Sequence, residues 1–518
     1  MMSDILTRLS AVPSRPHGAT ETTDETYDRQ LRDLVTYLKQ PGLVPSTTDP
    51  NEYLQVLSPS THSLSFLYLL RFHIQQAQKR TKRDIPDVLQ PGGILWKWAV
   101  RFLRSFDPIQ IRYSIHEWRQ LVEVVASAAL TTSKSFLALK VTRDALEQLG
   151  LCGIFTSTHL LLVRLALLSS SYTYALPITN QLLYHFPTDA DHVHHGYLSC
   201  SEHAPTTTLV TNASGISSKL THRDHLQYFL YSAMIYMALK KWDEACHCLN
   251  AVITSPTSNA VSKIMVEAYK KWILVNLLGY GKVISCSIVV SLHDVGAWLI
   301  DLNAQIPPTS KMIAPHVMRV YQSVARPYIS VAEAFEKGEL QKMITEIDLG
   351  QTMWQADKNT GLVSQLFEAY DKFVIVKLGK TFSALTMADV LQRTSSTAQS
   401  PLQIEEFVAS LVMSGALRAN LSHTPHENGT TMLRLSLGSR SDTCRQEHIR
   451  AELIRARTAL NAIAQGVTQT DQTLELSREN LQFLAKSQKW SGNSDKISSS
   501  GEAGGGGDID EDIMGDGQ

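Results

Sequence analysis

The residues best suited to chemistry lie close together: His185, His192, His194, His195, Cys200 and His203. Imidazoles and thiolates are good zinc ligands, and His192-x-His194 is a spacing at which two imidazoles can share one ion. A zinc hydrolase also needs a carboxylate ligand at a fixed distance and a glutamate acting as general base. Here Asp189 and Asp191 precede the pair, and the Pro and Ser-x-x-Asp that would complete such a site after it are missing. The other reading is a solvated polar loop, and it is the one expected here. No HExxH, GxSxG, Walker A or GxGxxG motif occurs, and His116-Glu117 and His426-Glu427 each lack the second histidine. The sequence therefore leads us to expect no catalytic residue, no metal, no cofactor and no enzyme.

The elements around that loop read as helices. Apolar residues recur at three and four between about 27 and 183, as in Leu31, Leu34, Leu38 and in Leu160, Val163, Leu167. Breakers separate the runs at Pro41-Gly42, Pro91-Gly92-Gly93, Gly150 and Gly153. Residues 1–26 read as a disordered N-terminus and 187–222 as a long polar loop. The helices then resume with Phe229, Ala233 and Tyr236, a turn at Lys240–Trp242, and Ala245 and Leu249 before Pro256. Small residues at the crossing with large ones around it make a tetratricopeptide-type helix pair, which buries its apolar face only by stacking on neighbours. The next helix, Ala260–Leu278, carries Ile264, Ala268, Trp272 and Val275, and further helices are expected at about 312–325, 327–336 and 339–349.

From residue 359 the pattern changes. Asn359–Lys380 reads as one long helix, with Leu362, Leu366, Tyr370 and Phe373 on one face. Leu385–Leu391 reads as a short helix capped by Thr386, and Pro401–Ser414 as another. ALRANL and MLRLSL then alternate as two strands, so helix, helix and a two-stranded wing spell a winged-helix module over 359–440. Its recognition helix holds Glu405 and Glu406 and no Lys or Arg, which argues against nucleic acid. Gln446–Lys489 reads as a last long helix with a heptad-like seam that includes Ile449, Leu453, Leu460, Ile463, Val467, Leu474, Leu481 and Leu484. Such a seam wants a partner helix. The remaining residues, 491–518, are Gly/Ser-rich, then acidic, and read as disordered.

Global composition adds limits. The formal net charge of −1 gives no basic bias toward nucleic acid or membrane surfaces. No apolar run approaches the ~20 residues that span a bilayer. The six cysteines are scattered without a CxxC pair, as reduced thiols in a cytosolic or nuclear protein would be.

Solenoid, winged helix and terminal helix follow one another in the order of the PCI families, which build the proteasome lid, the COP9 signalosome and translation initiation factor three. The run Ile253–Pro256 with Ser262–Val275, SKIMVEAYKKWILV, resembles the subunit-three family of the signalosome. So do Gly361-Leu362-Val363, Tyr370, Leu378, Lys380-Thr381-Phe382, Leu385 and Asp389, in that order. The resemblance implies an all-α chain: a right-handed helical-repeat solenoid over 27–358, a PCI winged helix with a small β wing, and a C-terminal bundle helix over 445–490. It implies a non-catalytic scaffold found in cytoplasm and nucleus, supporting removal of a ubiquitin-like modifier from cullins by another subunit. Its partners would be other signalosome subunits, chiefly the first and eighth. The wing Ala416–Leu437, with Leu433 and Leu435, would join a neighbour by strand addition, and the seam would enter a helix bundle. A PCI subunit of the lid or of the initiation factor is the alternative.

One stretch departs from that family. After Gly281-Lys282 the pattern passes almost directly to a segment like Lys311–Tyr321, whereas here residues 283–305 intervene. They are a translated intron or a genuine surface helix. A tryptic peptide from this segment, detected in the native protein by mass spectrometry, would eliminate the first reading.

Overall fold

A computed structural model describes residues 2–14, 21–40, 53–150, 153–181, 183, 214–256, 261–283, 313, 315–394, 401–413, 417, 419–423, 431–435 and scattered positions between 450 and 471. It divides into two compact units, Met1–Arg445 and Gln446–Gln518. The histidine-rich loop and nearly all of the 283–305 insertion lie outside the described residues.

Helices α1 (Met2–Leu9), α2 (Glu21–Leu38), α3 (Ser63–Thr81), α4 (Ile94–Ser105), α5 (Ile115–Thr131), α6 (Ser135–Leu149) and α7 (Ser157–Leu168) open the first unit. Then come α8 (His222–Ala238), α9 (Trp242–Ile253), α10 (Lys263–Tyr280), α11 (Pro315–Val324), α12 (Arg326–Lys337), α13 (Leu340–Leu349), α14 (Gln351–Ala356) and α15 (Thr360–Thr381). The N-terminus differs from expectation. Leu9 and Val12 are buried and the Ser65 hydroxyl donates to the Leu9 carbonyl at 2.8 Å, so residues 2–14 pack on the first helices. The reason is a short apolar stripe, Leu6, Leu9 and Val12, that finds a surface to cover.

Three successive apolar clusters make up the core of this unit. The first contains a ladder of aromatic rings, Phe66, Phe102, Phe106 and Trp118, with consecutive centroids 5.6, 5.6 and 6.1 Å apart. Helix α8 serves two clusters: Tyr228 and Ile235 face the first, and Leu230, Ala233 and Tyr236 the second. Its start is fixed by a capping box in which Thr221 and Asp224 exchange hydrogen bonds. Lys240 turns the chain at φ 56°, and Ala233 and Ala245 lie fully buried in the α8–α9 pair, as the repeat pattern requires.

The third cluster belongs to the C-terminal module. Here β1 (Ala384–Thr386), α16 (Met387–Thr394), α17 (Pro401–Met413), β2 (Ala419–His423) and β3 (Thr431–Leu435) follow α15. The sheet is antiparallel in the order β1-β3-β2, with Leu385 opposite Leu433 and Leu433 opposite Leu421. The expected wing of two strands has a third, because Leu385 is a strand residue and the short helix begins two positions later. Thr386 still caps it, accepting from the Asp389 N–H at 3.2 Å and donating to the Asp389 carboxylate at 2.7 Å.

Helix α7 is capped less usually. The Thr156 hydroxyl lies 2.8 Å from His159 Nδ1, which also accepts from the Thr156 N–H at 3.3 Å. An imidazole thus stands where a capping box normally has Glu or Gln. Burial lowers its pKa to about 4. Near pH 7 the ring is neutral in both states. As pH falls from about 6.5 to about 4, the unfolded chain takes up a proton that the folded chain refuses. Stability should drop through that window by about 3 kcal/mol from this residue alone. His159→Gln keeps an acceptor for the Thr156 N–H and should remove that share of the slope, read as the difference in urea-unfolding free energy between about pH 7 and pH 4.5. Identical slopes in both proteins would overturn this assignment.

Candidate assembly interfaces

The run EAYKKWILV places two lysines, Lys270 and Lys271, on the buried side of α10. Buried ammonium groups are costly unless paired and hydrogen-bonded. Lys270 Nζ donates to Asp357 Oδ2 at 2.7 Å, and Lys271 Nζ reaches Glu267 at 2.8 Å and Asn359 Oδ1 at 2.9 Å. Tyr328, on α12, joins both halves: its hydroxyl donates to Asp357 at 2.8 Å and accepts from Asn359 Nδ2 at 2.8 Å. Burial, aided by the Asp357 carboxylate, pushes the Tyr328 phenol above its ordinary pKa, so it stays a donor. Asp357 and Asn359 flank Lys358, which turns at φ 56° just before α15. The network therefore clamps the α14–α15 turn against α10 and α12.

Two close approaches extend the clamp. Gly281 ends α10 at φ 70°, and a Cβ there would meet the Phe373 ring of α15 at 2.6 Å. The Tyr370 hydroxyl donates to the Gly338 carbonyl at 2.7 Å, tying α15 to the end of α12. Helix α15 then continues into the third cluster through Ile375, with Val376 and Leu378 packed beside it. The solenoid and the winged helix thus share one helix.

The module so positioned offers a sheet edge. Strand β3 is the middle strand, and its Leu433 and Leu435 are buried in the module's own core. These two leucines are thus corrected as contact residues: with neighbours on both sides, β3 has no edge to add to. The outer edges belong to β1 and β2, and among the described residues neither has a further strand. On α17, Ile404, Val408 and Leu411 face inward, and Glu405 accepts from the Thr431 hydroxyl at 3.0 Å. Glu406 is exposed, and so are Leu402 at 75% and Met413 at 86%. Sequence reasoning missed Leu402 and Met413. They lie three turns apart on one face, but Glu406 interrupts the stripe between them.

In the second unit the described residues from Arg450 to Asp471 are helical. Among the seam residues, Leu453 (57%), Leu460 (62%) and Val467 (53%) are exposed at a spacing of seven. Ile449, Ile463, Leu474, Leu481 and Leu484 lie outside the described residues. No group of three or more metal-ligating side chains occurs among the described residues, and no helix there is long and apolar enough to cross a membrane. Cys246 and Cys248 are buried on α9, and burial pushes both thiols up to about 12. The cavity beside His159 and Trp118 measures about 10 Å³, room for a single water.

The clamp makes a quantitative prediction. Lys271→Met leaves the buried Asn359 amide short of a partner and should cost about 2–3 kcal/mol in urea unfolding. Adding Asn359→Leu should recover part of that loss, because the orphaned amide goes with it. Additive losses would show that the pair does not act as a unit.

Glu267, Lys270, Lys271 and Tyr370 of this clamp lie in the stretches through which the sequence resembles a known family, and comparison with known proteins agrees. The family model for the N-terminal helical repeats of COP9 signalosome complex subunit 3 matches residues 28–292. A protein of Emericella nidulans named COP9 signalosome complex subunit 3 is 59% identical over the whole of both chains. Proteins of the same name from Neurospora crassa and Drosophila melanogaster are 22% and 24% identical. The first covers 93% of this chain and 92% of its own, the second 71% and 73%. The chain belongs to the family of COP9 signalosome subunit 3.

Proposed function

We propose that this protein is a non-catalytic scaffold of the signalosome, holding other subunits so that one of them can remove a ubiquitin-like modifier from cullins. Family membership supplies the complex. The observation that carries the scaffold role is the exposed helical seam of Leu453, Leu460 and Val467. Apolar side chains repeated at seven on an exposed helix are a standing cost in water unless other helices cover them. The edge of β2, which has no further strand among the described residues, is a second contact, suited to strand addition by a neighbouring winged helix. In this reading the seam enters a shared helical bundle and the wing meets its neighbours, the first and eighth subunits foremost. The acidic recognition helix, with Glu405 tied to Thr431 and Glu406 exposed, suits a protein partner better than a phosphate backbone. Buried free thiols fit a reducing compartment, cytoplasm and nucleus in this reading.

Affinity isolation of the tagged chain should recover signalosome subunits together with cullin-demodifying activity. Leu453→Glu with Leu460→Glu should leave the helical content of the chain unchanged by circular dichroism and reduce that co-purification by about ten-fold or more. Undiminished recovery of the other subunits would remove the seam from the interface. Demodifying activity in the isolated, purified chain would overturn the non-catalytic reading.

A further inference from the structure

In the N-terminal part of the chain, helix α4 lines a groove of about 650 Å³ that the scaffold reading leaves unused. It is lined by Pro59, Trp96 and Val100, by Lys97, Arg101 and Arg104, and by Ser58, Ser60 and Ser105. The three cations fall at i, i+4 and i+7, one face of the helix. Lys97 and Arg101 are exposed and have no carboxylate partner among the described residues. Arg101 is held by the Trp98 ring, its guanidinium carbon 5.4 Å from the centroid, which orders the charge without neutralising it. Arg104 donates to Asp144 at 2.9 Å and is thereby paired, Arg143 being shared between that carboxylate at 3.2 Å and Glu147 at 3.4 Å, so the uncompensated charge is that of Lys97 and Arg101. The groove therefore has a surplus of positive charge in a protein whose net charge is −1.

We propose that this groove binds a short acidic segment of a partner polypeptide, its carboxylates on Lys97 and Arg101 and its intervening side chains against Val100 and Pro59. Charge complementarity selects an anion, and the apolar part of the lining selects one with side chains between its charges. Three cations are too few for the extended phosphate contacts on which nucleic-acid affinity rests. The inference does not depend on the helix seam, and either can fail without the other.

The test uses the full-length chain and a fluorescently labelled oligoglutamate peptide, followed by anisotropy. Binding should weaken as ionic strength rises, because exposed charges are screened. Lys97→Glu with Arg101→Glu, both exposed, should weaken it by about ten-fold or more. Arg223→Glu with Lys263→Glu, exposed cations on α8 and α10, should leave it unchanged. An oligoglutamine peptide of equal length should not bind. The proposal is overturned if the wild-type chain does not bind oligoglutamate, if the groove variant binds it as well as wild type, or if oligoglutamine binds equally. It also fails if a single-stranded oligonucleotide binds the groove more tightly than the peptide.

Discussion

Two lysines buried side by side on α10 are the constraint from which the arrangement of the first unit follows. Neither can be desolvated alone, so the turn before α15 must bring Asp357 and Asn359 to them, with Tyr328 between. That requirement fixes where α15 begins. Its direction is then set by Phe373 against Gly281 and Tyr370 against Gly338. Since the same helix contributes Ile375 to the winged-helix core, the orientation of the sheet edge is decided some turns upstream, inside the solenoid. An apolar seam would have given comparable burial with less geometric demand. Charged groups with fixed donor directions accept far fewer arrangements, and a scaffold is defined by arrangement.

This accounts for why the sequence was most legible where it was. Two adjacent lysines inside an apolar helical stripe depart from ordinary helical periodicity, so SKIMVEAYKKWILV is a more specific signal than the stripe alone. The α8–α9 pair was legible for a different reason. Ala233 and Ala245 at the crossing leave no room for larger side chains, and the spacing of small and large residues is itself the geometry.

The misses share a cause. A pattern of apolar residues says that a side chain will be buried, not by what. Leu433 and Leu435 alternate as strand residues should, and nothing in that alternation separates a middle strand from an edge. The order β1-β3-β2 depends on Ala384–Thr386, of which Leu385 and Thr386 also read as the start of a helix. Thr386 serves both roles, ending the strand and capping the helix, so its capping signal was read correctly and the preceding strand was hidden by it. His159 was hidden likewise: a histidine three residues after a threonine is no recognised cap, although its Nδ1 accepts as a carboxylate would.

At a few positions burial and exposure run against the usual preference. Lys270, Lys271 and Asn359 are taken into the interior, while Leu402, Met413, Leu453 and Leu460 are left outside. A protein built to be stable alone gains most from the reverse, since each buried charge needs compensation and each exposed leucine forgoes about 2 kcal/mol of transfer free energy. The distribution is rational for a subunit. Interior charge pairs make one arrangement of helices much better than its near neighbours, and under the proposed function the exposed leucines are buried on assembly. In that reading part of the folding free energy of the chain is coupled to its partners. The chain's stability and its incorporation then become one equilibrium, in which a partner that covers the seam also stabilises the fold.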